Sequence, residues 1–476
     1  MGFVGRLTYS YQGKYLASAS VRHDGSSRLA EGNRWDTFPA FSLGWRISEE
    51  GFMKSTRGWL DNLKLRAGWG ITGTASISEY QTQSELEQSY MILGNQTLVS
   101  YNYPQGIVDP KLGWEKSYNT NIGLDATFLG GRIELNMDYY YTKTKDIIWT
   151  SLVPVTNGGF NSSQQYTVTT NICESQNKGL ELSITGRPFV ARKDGDFGWT
   201  INATYTKSSE KLTKFAAEDG TTQYINGNKI LKEGEPINSF YDYKLNGTWK
   251  TSEAAEAAIF NAVPGDLKID CPDITRQVDA DGTVYYVGKN AEGADVRYDA
   301  SNPYDATQAK QVLGHQQPDW TMGIKNTFTY KGFDLSVYLY WRYGQMINYG
   351  MLGRYNPQGT SNFPTYFDYW TTETGDENHI YPAINSTKPL NEYSGWTGLT
   401  YVDGSFFKVK NITLGYTLPK NFIKKLGIES LRVYGTITNP FVVAKSSLLK
   451  DYDPEMAGSL DYPLTKQMVF GVNMTF

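Results

Sequence analysis

The fold is decided by the stretch Lys466–Phe476, "KQMVFGVNMTF". Met468, Phe470, Val472, Met474 and Phe476 place apolar side chains at every second position. Gln467, Gly471, Asn473 and Thr475 fall between them, with Val469 the one break. A repeat of two is the mark of a strand with one apolar face. Chain ends are commonly polar and frayed. A strand that runs out to a terminal ring therefore implies pairing on its edge and an apolar medium on its face.

The same alternation returns along the chain. Phe3, Gly5, Leu7, Tyr9 and Tyr11 oppose Val4, Arg6, Thr8 and Ser10. Leu63, Leu65, Ala67 and Trp69 oppose Lys64, Arg66 and Gly68, and Ile122, Leu124, Ala126 and Phe128 oppose Gly123, Asp125 and Thr127. Phe333, Leu335, Val337, Leu339 and Trp341 repeat the pattern. About 14 such strands are predicted, each of the length that a tilted strand needs to cross a bilayer. The connections alternate too. "YQGKYL" (Tyr11–Leu16), "FLGGRI" (Phe128–Ile133) and "YKGFDL" (Tyr330–Leu335) are tight Gly turns. Between them lie long polar excursions, about 22–38, 73–117, 145–176, 247–317, 343–403 and 438–465. Short turns on one side and long loops on the other are the asymmetry of an outer-membrane barrel.

Composition agrees with this. Among 476 residues there are 35 Tyr, 21 Phe, 12 Trp and 47 Gly. The mean hydropathy of −0.47 and the lack of a long apolar run exclude a transmembrane helix, a test that a barrel escapes because only alternate residues face lipid. The 45 basic and 49 acidic residues leave a net charge of −4, with no basic field for nucleic acid. Cys173 and Cys271 have no metal-knuckle or disulfide spacing. The first residues show no charged-then-apolar leader, and the chain is expected to begin inside a strand. A large soluble propeller or sandwich also alternates. Mid-strand Arg, Lys, Asp and Glu on the inward face argue against it. So do aromatic clusters near strand ends at Tyr9/Tyr11/Tyr15, Tyr139/Tyr140/Tyr141 and Phe328/Tyr330/Phe333, where an interfacial girdle falls.

Longer blocks carry a resemblance. "YLASASVRHDGSSRLAEGNRWDTFPAFSLGWRISEEGFM" (Tyr15–Met53) and "NLKLRAGWGITG" (Asn62–Gly73) resemble consecutive blocks of SusC/RagA-type TonB-dependent transporters. "VDPKLGWEKSYNTNIGLDATFLGGRIELNMDYYYTKTKDII" (Val108–Ile148), "NKGLELSITG" (Asn177–Gly186), "GEPINSFYDYKLNGTWKT" (Gly234–Thr251), "PGDLKI" (Pro264–Ile269), "DGSFFKVKNITLGYTLP" (Asp403–Pro419), "LRVYGTITNPF" (Leu431–Phe441) and "YDPEM" (Tyr452–Met456) follow in family order. The resemblance covers essentially the whole chain. It implies an all-β fold: residues 1–476 as one antiparallel transmembrane β-barrel domain, the C-terminal portion of a barrel of about 22 strands, with long extracellular loops and short periplasmic turns. The plug, the TonB box and the first strands belong to an N-terminal half not recognisable in this sequence. It implies import of large nutrients, oligosaccharides or peptides, powered by TonB acting on the plug. The implied partners are a SusD-like surface lipoprotein, outer-membrane lipid and the barrel-assembly machinery. The terminal strand with Val472, Met474 and Phe476 resembles the assembly signal that this machinery reads. A passive pore or adhesin barrel, and a soluble glycan-binding β-protein, stand as alternatives.

No motif predicts catalysis or a cofactor. His23, His315 and His379 are scattered, and no nucleophile elbow, zinc helix or phosphate loop occurs. "VDADGT" (Val278–Thr283) resembles a truncated calcium loop at Asp279 and Asp281, but an Asp-Gly turn explains it as well and no metal is expected. "DGSSR" (Asp24–Arg28) reads as turn chemistry. The excursion between Tyr343 and Tyr401 is rich in rings: Tyr349, Tyr355, Phe363, Tyr366, Phe367, Tyr369, Trp370, Tyr381, Tyr393 and Trp396. Rings on a proline-stiffened loop suit sugar faces or peptide side chains, so Tyr355, Trp370 and Trp396 are the candidate ligand-stacking residues. The plainer reading is that such rings form a small loop core or pack on the lid lipoprotein. The register predicts Leu63, Leu65, Trp69, Ile122, Leu124, Phe128, Leu335 and Leu339 toward lipid and Lys64, Arg66, Asp125, Glu134 and Asp334 toward the lumen. The chain alone is expected to be an incomplete wall, with edges at Phe3–Tyr11 and Met468–Phe476.

Overall fold

The computed structural model describes residues 1–476 except 84–85, 95, 105–106, 158–165, 194, 217–219, 291–292, 361, 363, 386 and 424–426. Thirteen strands follow one another in a single antiparallel meander: β1 (Gly2–Tyr11), β2 (Tyr15–Gly25), β3 (Trp35–Arg46), β4 (Leu60–Thr74), β5 (Glu115–Phe128), β6 (Ile133–Leu152), β7 (Thr167–Phe189), β8 (Gly198–Phe215), β9 (Trp320–Tyr330), β10 (Phe333–Tyr343), β11 (Phe406–Thr417), β12 (Ser430–Ala444) and β13 (Gln467–Thr475). A two-residue strand, Ile107–Val108, adds to β7 and makes the sheet 14-stranded. Among the described residues β1 and β13 do not pair, so each presents a free edge. No helix of the described residues is long and apolar enough to cross a membrane.

Register sorts the side chains onto two faces, because each strand residue points opposite to its neighbour. Leu65 pairs with Leu124, and Ala67 with Ile122, on one face, while Lys64 pairs with Asp125 and Arg66 with Gly123 on the other. Thr127 pairs with Glu134, so Glu134 joins Asp125 and Arg66 on the polar face. The apolar face is exposed over a broad band: Leu43 is 65% exposed, Ile122 51%, Leu414 53% and Phe470 84%. Rings bound that band at two heights. Beside the short turns, Trp59 stacks on Phe128 at 6.0 Å, Trp199 on Phe328 at 5.6 Å, and Phe333 contacts Tyr416 at 4.5 Å. At the opposite end Trp320 stacks on Tyr343 at 5.4 Å and Trp341 contacts Phe407 at 4.8 Å. An apolar band between two aromatic girdles is the outer surface of a membrane barrel. A soluble protein does not expose such a band, which removes the soluble alternative.

Several expectations need correction. The 145–176 excursion is shorter than expected, since β6 runs to Leu152 and β7 begins at Thr167. Crossing the membrane needs only about 9–11 residues, so both strands continue beyond the bilayer, where Val168 and Cys173 are buried in small apolar clusters instead of facing lipid. The 22–38 excursion shrinks likewise, because β2 runs to Gly25 and β3 begins at Trp35. The largest excursion begins at 216 rather than 247 and holds the small strands Gln223–Asn226, Lys229–Lys232 and Ser239–Asp242. Tyr140 does not sit in a girdle. It faces the lumen and lies flat over Gly179. Phe476 stands just past the last strand residue, Thr475, and is 84% exposed.

Candidate functional site

Two surfaces carry polar groups away from the lipid face: the inner wall and the mass of outer connections above it. The inner wall is flat at particular points. Arg66 donates to Asp125 at 2.9 Å and to Asp138 at 2.9 and 3.0 Å, lying across Gly123. Arg432 donates to Asp334 at 2.6 and 2.8 Å across Gly415. The ring of Tyr434 covers Gly471 in the same way. At Gly123 and Gly415 an added Cβ would fall about 2.5 Å from the bridging atoms, well inside contact distance. Glycine therefore lets charged and phenolic side chains lie along the wall instead of projecting into the lumen. A recess of about 310 Å³ near β1–β5 is lined by Arg6, Thr8, Ser18, Ser42, Lys64 and Asn121. These donors and acceptors can hydrogen-bond a hydrated solute but carry no nucleophile–base pair.

The outer connections 216–319, 344–405 and 445–466 fold together as a cap. Its core joins Leu267 from the first, Ile347, Leu352, Tyr355, Phe367, Tyr381, Tyr393 and Leu399 from the second, and Leu449 from the third. The third connection is fixed to the wall by the buried ammonium of Lys408 on β11. That group lies 2.5 Å from Asp453 and 2.7 Å from Glu455, while Lys410 also pairs with Glu455. Asp453 meanwhile accepts from the backbone N–H of Glu455 at 3.1 Å, which shapes the turn of "YDPEM". Burial raises the Glu455 pKa, but Lys408 and Lys410 outweigh it and hold the carboxyl below its ordinary range.

The three candidate stacking rings separate. Tyr355 is 2% exposed, its hydroxyl donates to the Pro382 carbonyl at 2.7 Å, and its ring meets Tyr381 at 5.3 Å. No face is open to a ligand, so Tyr355 belongs to the cap core. Burial pushes its phenol pKa up. Trp370 is half-buried between Gly265 and Gly375, and its indole N–H donates to the Gly375 carbonyl at 3.1 Å. Trp396 is half-buried and packs on the same core from outside. Phe363 lies outside the described residues. Asp279 and Asp281 sit in the hairpin turn between Ile274–Val278 and Val284–Lys289. Asp279 pairs with Arg297 at 2.7 Å, and Asp281 accepts from the Thr283 N–H at 3.0 Å. These contacts are those of a turn. In "DGSSR", Arg28 donates to the Ile77 carbonyl at 2.9 Å and pairs with Glu79, binding one outer connection to the next.

The sequence names His379 only as one of three scattered histidines and does not give its partners. It is 5% exposed in the cap, with Nδ1 2.7 Å from Asp368 and Nε2 2.9 Å from the Thr374 carbonyl. Nothing in its neighbours along the chain signals this, because Asp368 and Thr374 reach it only through the fold of the loop. The Arg–Gly–Asp crossings did have a signal: glycine at a lumen-facing position of a strand whose neighbours carry opposite charges.

The model of the family "TonB dependent receptor-like, beta-barrel" matches residues 2–326. The TonB-dependent receptor SusC of Bacteroides thetaiotaomicron is 30% identical over 499 residues, covering 100% of this chain and 44% of SusC. TonB-dependent receptor P3 of Formosa agariphila is 26% identical over 500 residues, covering 99% of this chain and 45% of that protein. The chain thus spans somewhat under half the length of these curated relatives. The solved RagAB peptide importer, in its open-open state, superposes with a TM-score of 0.77 at 22% identity, over 100% of this chain and 46% of that one. The chain belongs to the TonB-dependent receptor-like β-barrel family of the outer membrane.

Proposed function

We propose that this chain is the wall and outer cap of an active importer that takes up large polar nutrients, oligosaccharides or peptides, through the outer membrane. The observation that carries the reading is the match to SusC along the whole of this chain, on a wall whose lumen-facing charges are laid flat. A polar, flattened wall suits a wide passage for a hydrated cargo. Energy reaches it through TonB acting on an N-terminal plug, and a SusD-like surface lipoprotein closes over the cap. Trp370 and Trp396, which keep exposed surface at the cap, are the rings for cargo contact. The test is uptake of labelled oligosaccharide and peptide pools by cells carrying the complete transporter, with and without functional TonB. Uptake that stops without TonB supports the importer. Uptake or ion leakage that continues unchanged makes the barrel a passive pore, and binding without uptake makes it an adhesin.

The terminal strand serves assembly in this reading. Val472 and Met474 point outward, 59% and 46% exposed, and Phe476 follows them. Deleting Phe476 in the complete protein is expected to lower surface levels several-fold while leaving the denaturant midpoint of the folded fraction unchanged. Normal surface levels after deletion would remove the assembly role.

A further inference from the structure

The apolar alternation of β13 decides which of its faces meets lipid, but it leaves the register open. A slide of one residue would turn Met468, Phe470, Val472 and Met474 into the lumen, whereas a slide of two keeps all four outward. A slide of two also restores the same ladder of main-chain bonds. A tight hairpin would settle the choice, but β12 and β13 are joined by the long outer connection 445–466.

Two neighbouring cross-strand pairs do tell the registers apart. Tyr434 stands opposite Gly471 on the lumen face, and Gly435 stands opposite Phe470 on the lipid face. The Tyr434 ring lies over Gly471 and fills the space that a Cβ there would need. Gly471 is accordingly the one residue of β13 that is not exposed. On the other face the Phe470 ring lies over Gly435, 3.2 and 3.3 Å from the place of its Cβ. The Tyr434 ring is itself held in place. The Arg432 guanidinium stands 4.9 Å from the ring centre and donates to Asp334 on β10 at 2.6 and 2.8 Å. A slide of two residues breaks both contacts. Tyr434 then meets the side chain of Val469 or Asn473, and Gly435 faces Met468 or Val472. Phe470 moves opposite Val433 or Ile437, whose branched side chains occupy the room that glycine leaves free.

We propose that the pairs Tyr434–Gly471 and Gly435–Phe470 are the register lock of the terminal strand. Each pair rewards one alignment, because a ring lies flat only where the opposite residue has no side chain. Together they select that alignment from both faces of the wall. The choice reaches beyond β12 and β13. Among the described residues β13 has a free outer edge, and the stagger it offers there follows from its register on β12. In a closed barrel stagger, strand tilt and diameter are linked. The lock therefore sets the alignment of the seam at which the barrel closes.

The test is disulfide mapping of the complete protein in lipid vesicles after mild oxidation. The pair Val433→Cys/Val472→Cys reports the observed register, since these residues stand opposite each other. The pairs Leu431→Cys/Val472→Cys and Val433→Cys/Met474→Cys report slides of two residues in the two directions, and in the observed register they are diagonal and too far apart to bridge well. Linked peptides are identified by mass spectrometry, which separates them from any link through Cys173 or Cys271. With both rings present, the first pair should link and the other two should not. The double variant Tyr434→Ser/Phe470→Leu keeps a polar residue inside and an apolar one outside. In it, linkage of the slid pairs relative to the opposite pair should rise roughly tenfold. Gly471→Ala, which lifts the Tyr434 ring, should move the ratio the same way by less. Each variant is refolded from denaturant into vesicles, so poor assembly in cells does not hide the readout. Unchanged ratios in both variants overturn the lock and assign the register to the outer connection, where Asn439 donates to the Thr465 carbonyl at 3.1 Å. Strong linkage of a slid pair with both rings present overturns it too. Linkage is read without transport or surface level, so either failure leaves the importer reading and the assembly role of Phe476 standing.

Discussion

The wall and the cap are built by opposite rules. The wall takes its order from neighbours in sequence: each strand pairs with the next, and one apolar side chain in two meets lipid. Its apolar face needs no protein partner. The cap takes its order from distance. Leu267, Ile347 and Leu449 meet in one core although they come from three connections separated by wall strands. A periodic pattern can specify the first kind of structure and is silent on the second. The two meet at Lys408, a wall residue whose charge is satisfied only by the cap.

That seam is where the comparison breaks most violently. Lys408→Met leaves Asp453 and Glu455 facing each other with only Lys410 beside them. Removing one partner of a buried ion cluster costs about 3–5 kcal/mol. The cap should loosen while the wall below stays folded. Limited proteolysis of the complete protein in vesicles checks it: cleavage within 445–466 should rise by orders of magnitude, with heat-modifiable mobility kept. Cleavage at the wild-type rate would mean that the cap holds through its apolar core alone.

The wall is tested by a neighbouring pair. Leu124 faces lipid and Asn121 faces the lumen recess. Leu124→Arg should destabilise the barrel by about 2–4 kcal/mol if its position lies near the bilayer midplane, and Asn121→Arg by well under 1 kcal/mol. Denaturant unfolding in lipid vesicles measures both. Similar costs at the two positions would contradict the assigned faces.

What was legible follows from these rules. The strand register could be read because Leu65 and Leu124 alternate with Arg66 and Asp125, and lipid enforces that alternation. Residues 145–152 and 167–176 could not, since above the membrane Val168 and Cys173 pack into small clusters whose partners, such as Tyr166 and Phe215, come from other segments. The cap rings were visible as composition but not as roles. Nothing local distinguishes Tyr355, sealed against Tyr381, from Trp396 at the core's outer side. The number of rings left both a loop core and a binding surface open, and Tyr349, Tyr355, Phe367, Tyr381 and Tyr393 are buried in the cap's own core.

A smaller effect sharpens that last distinction. Tyr355→Phe removes one buried hydrogen bond, to the Pro382 carbonyl, and should lower cap stability by about 1 kcal/mol. Cargo affinity should not change. On the reading proposed above, Trp370→Ala and Trp396→Ala should each weaken cargo binding to the complete transporter with its proposed lipoprotein partner while the pair still assembles. If Tyr355→Phe weakens cargo binding as much as the tryptophan variants do, core and contact surface are not separable in this cap.

The smallest expected effect is a pH dependence confined to the cap. Burial disfavours a charge on His379, but the Thr374 carbonyl and the Asp368 carboxylate outweigh it, and its pKa is raised above the ordinary 6.5. Both ring nitrogens face acceptors, so the doubly protonated ring satisfies both and the neutral ring only one. A group with a raised folded-state pKa binds its proton more tightly when folded. Its contribution is complete below the unfolded value and fades as pH rises through the folded one. The wild-type cap should therefore resist proteolysis better than a His379→Gln cap in mildly acidic buffer, and the gap should close as pH rises past neutrality. The variant serves as the reference because it cancels every other titrating carboxylate of the cap. A gap that widens with rising pH would mean that the neutral imidazole is the form the folded cap prefers, with Asp368 satisfied by something else.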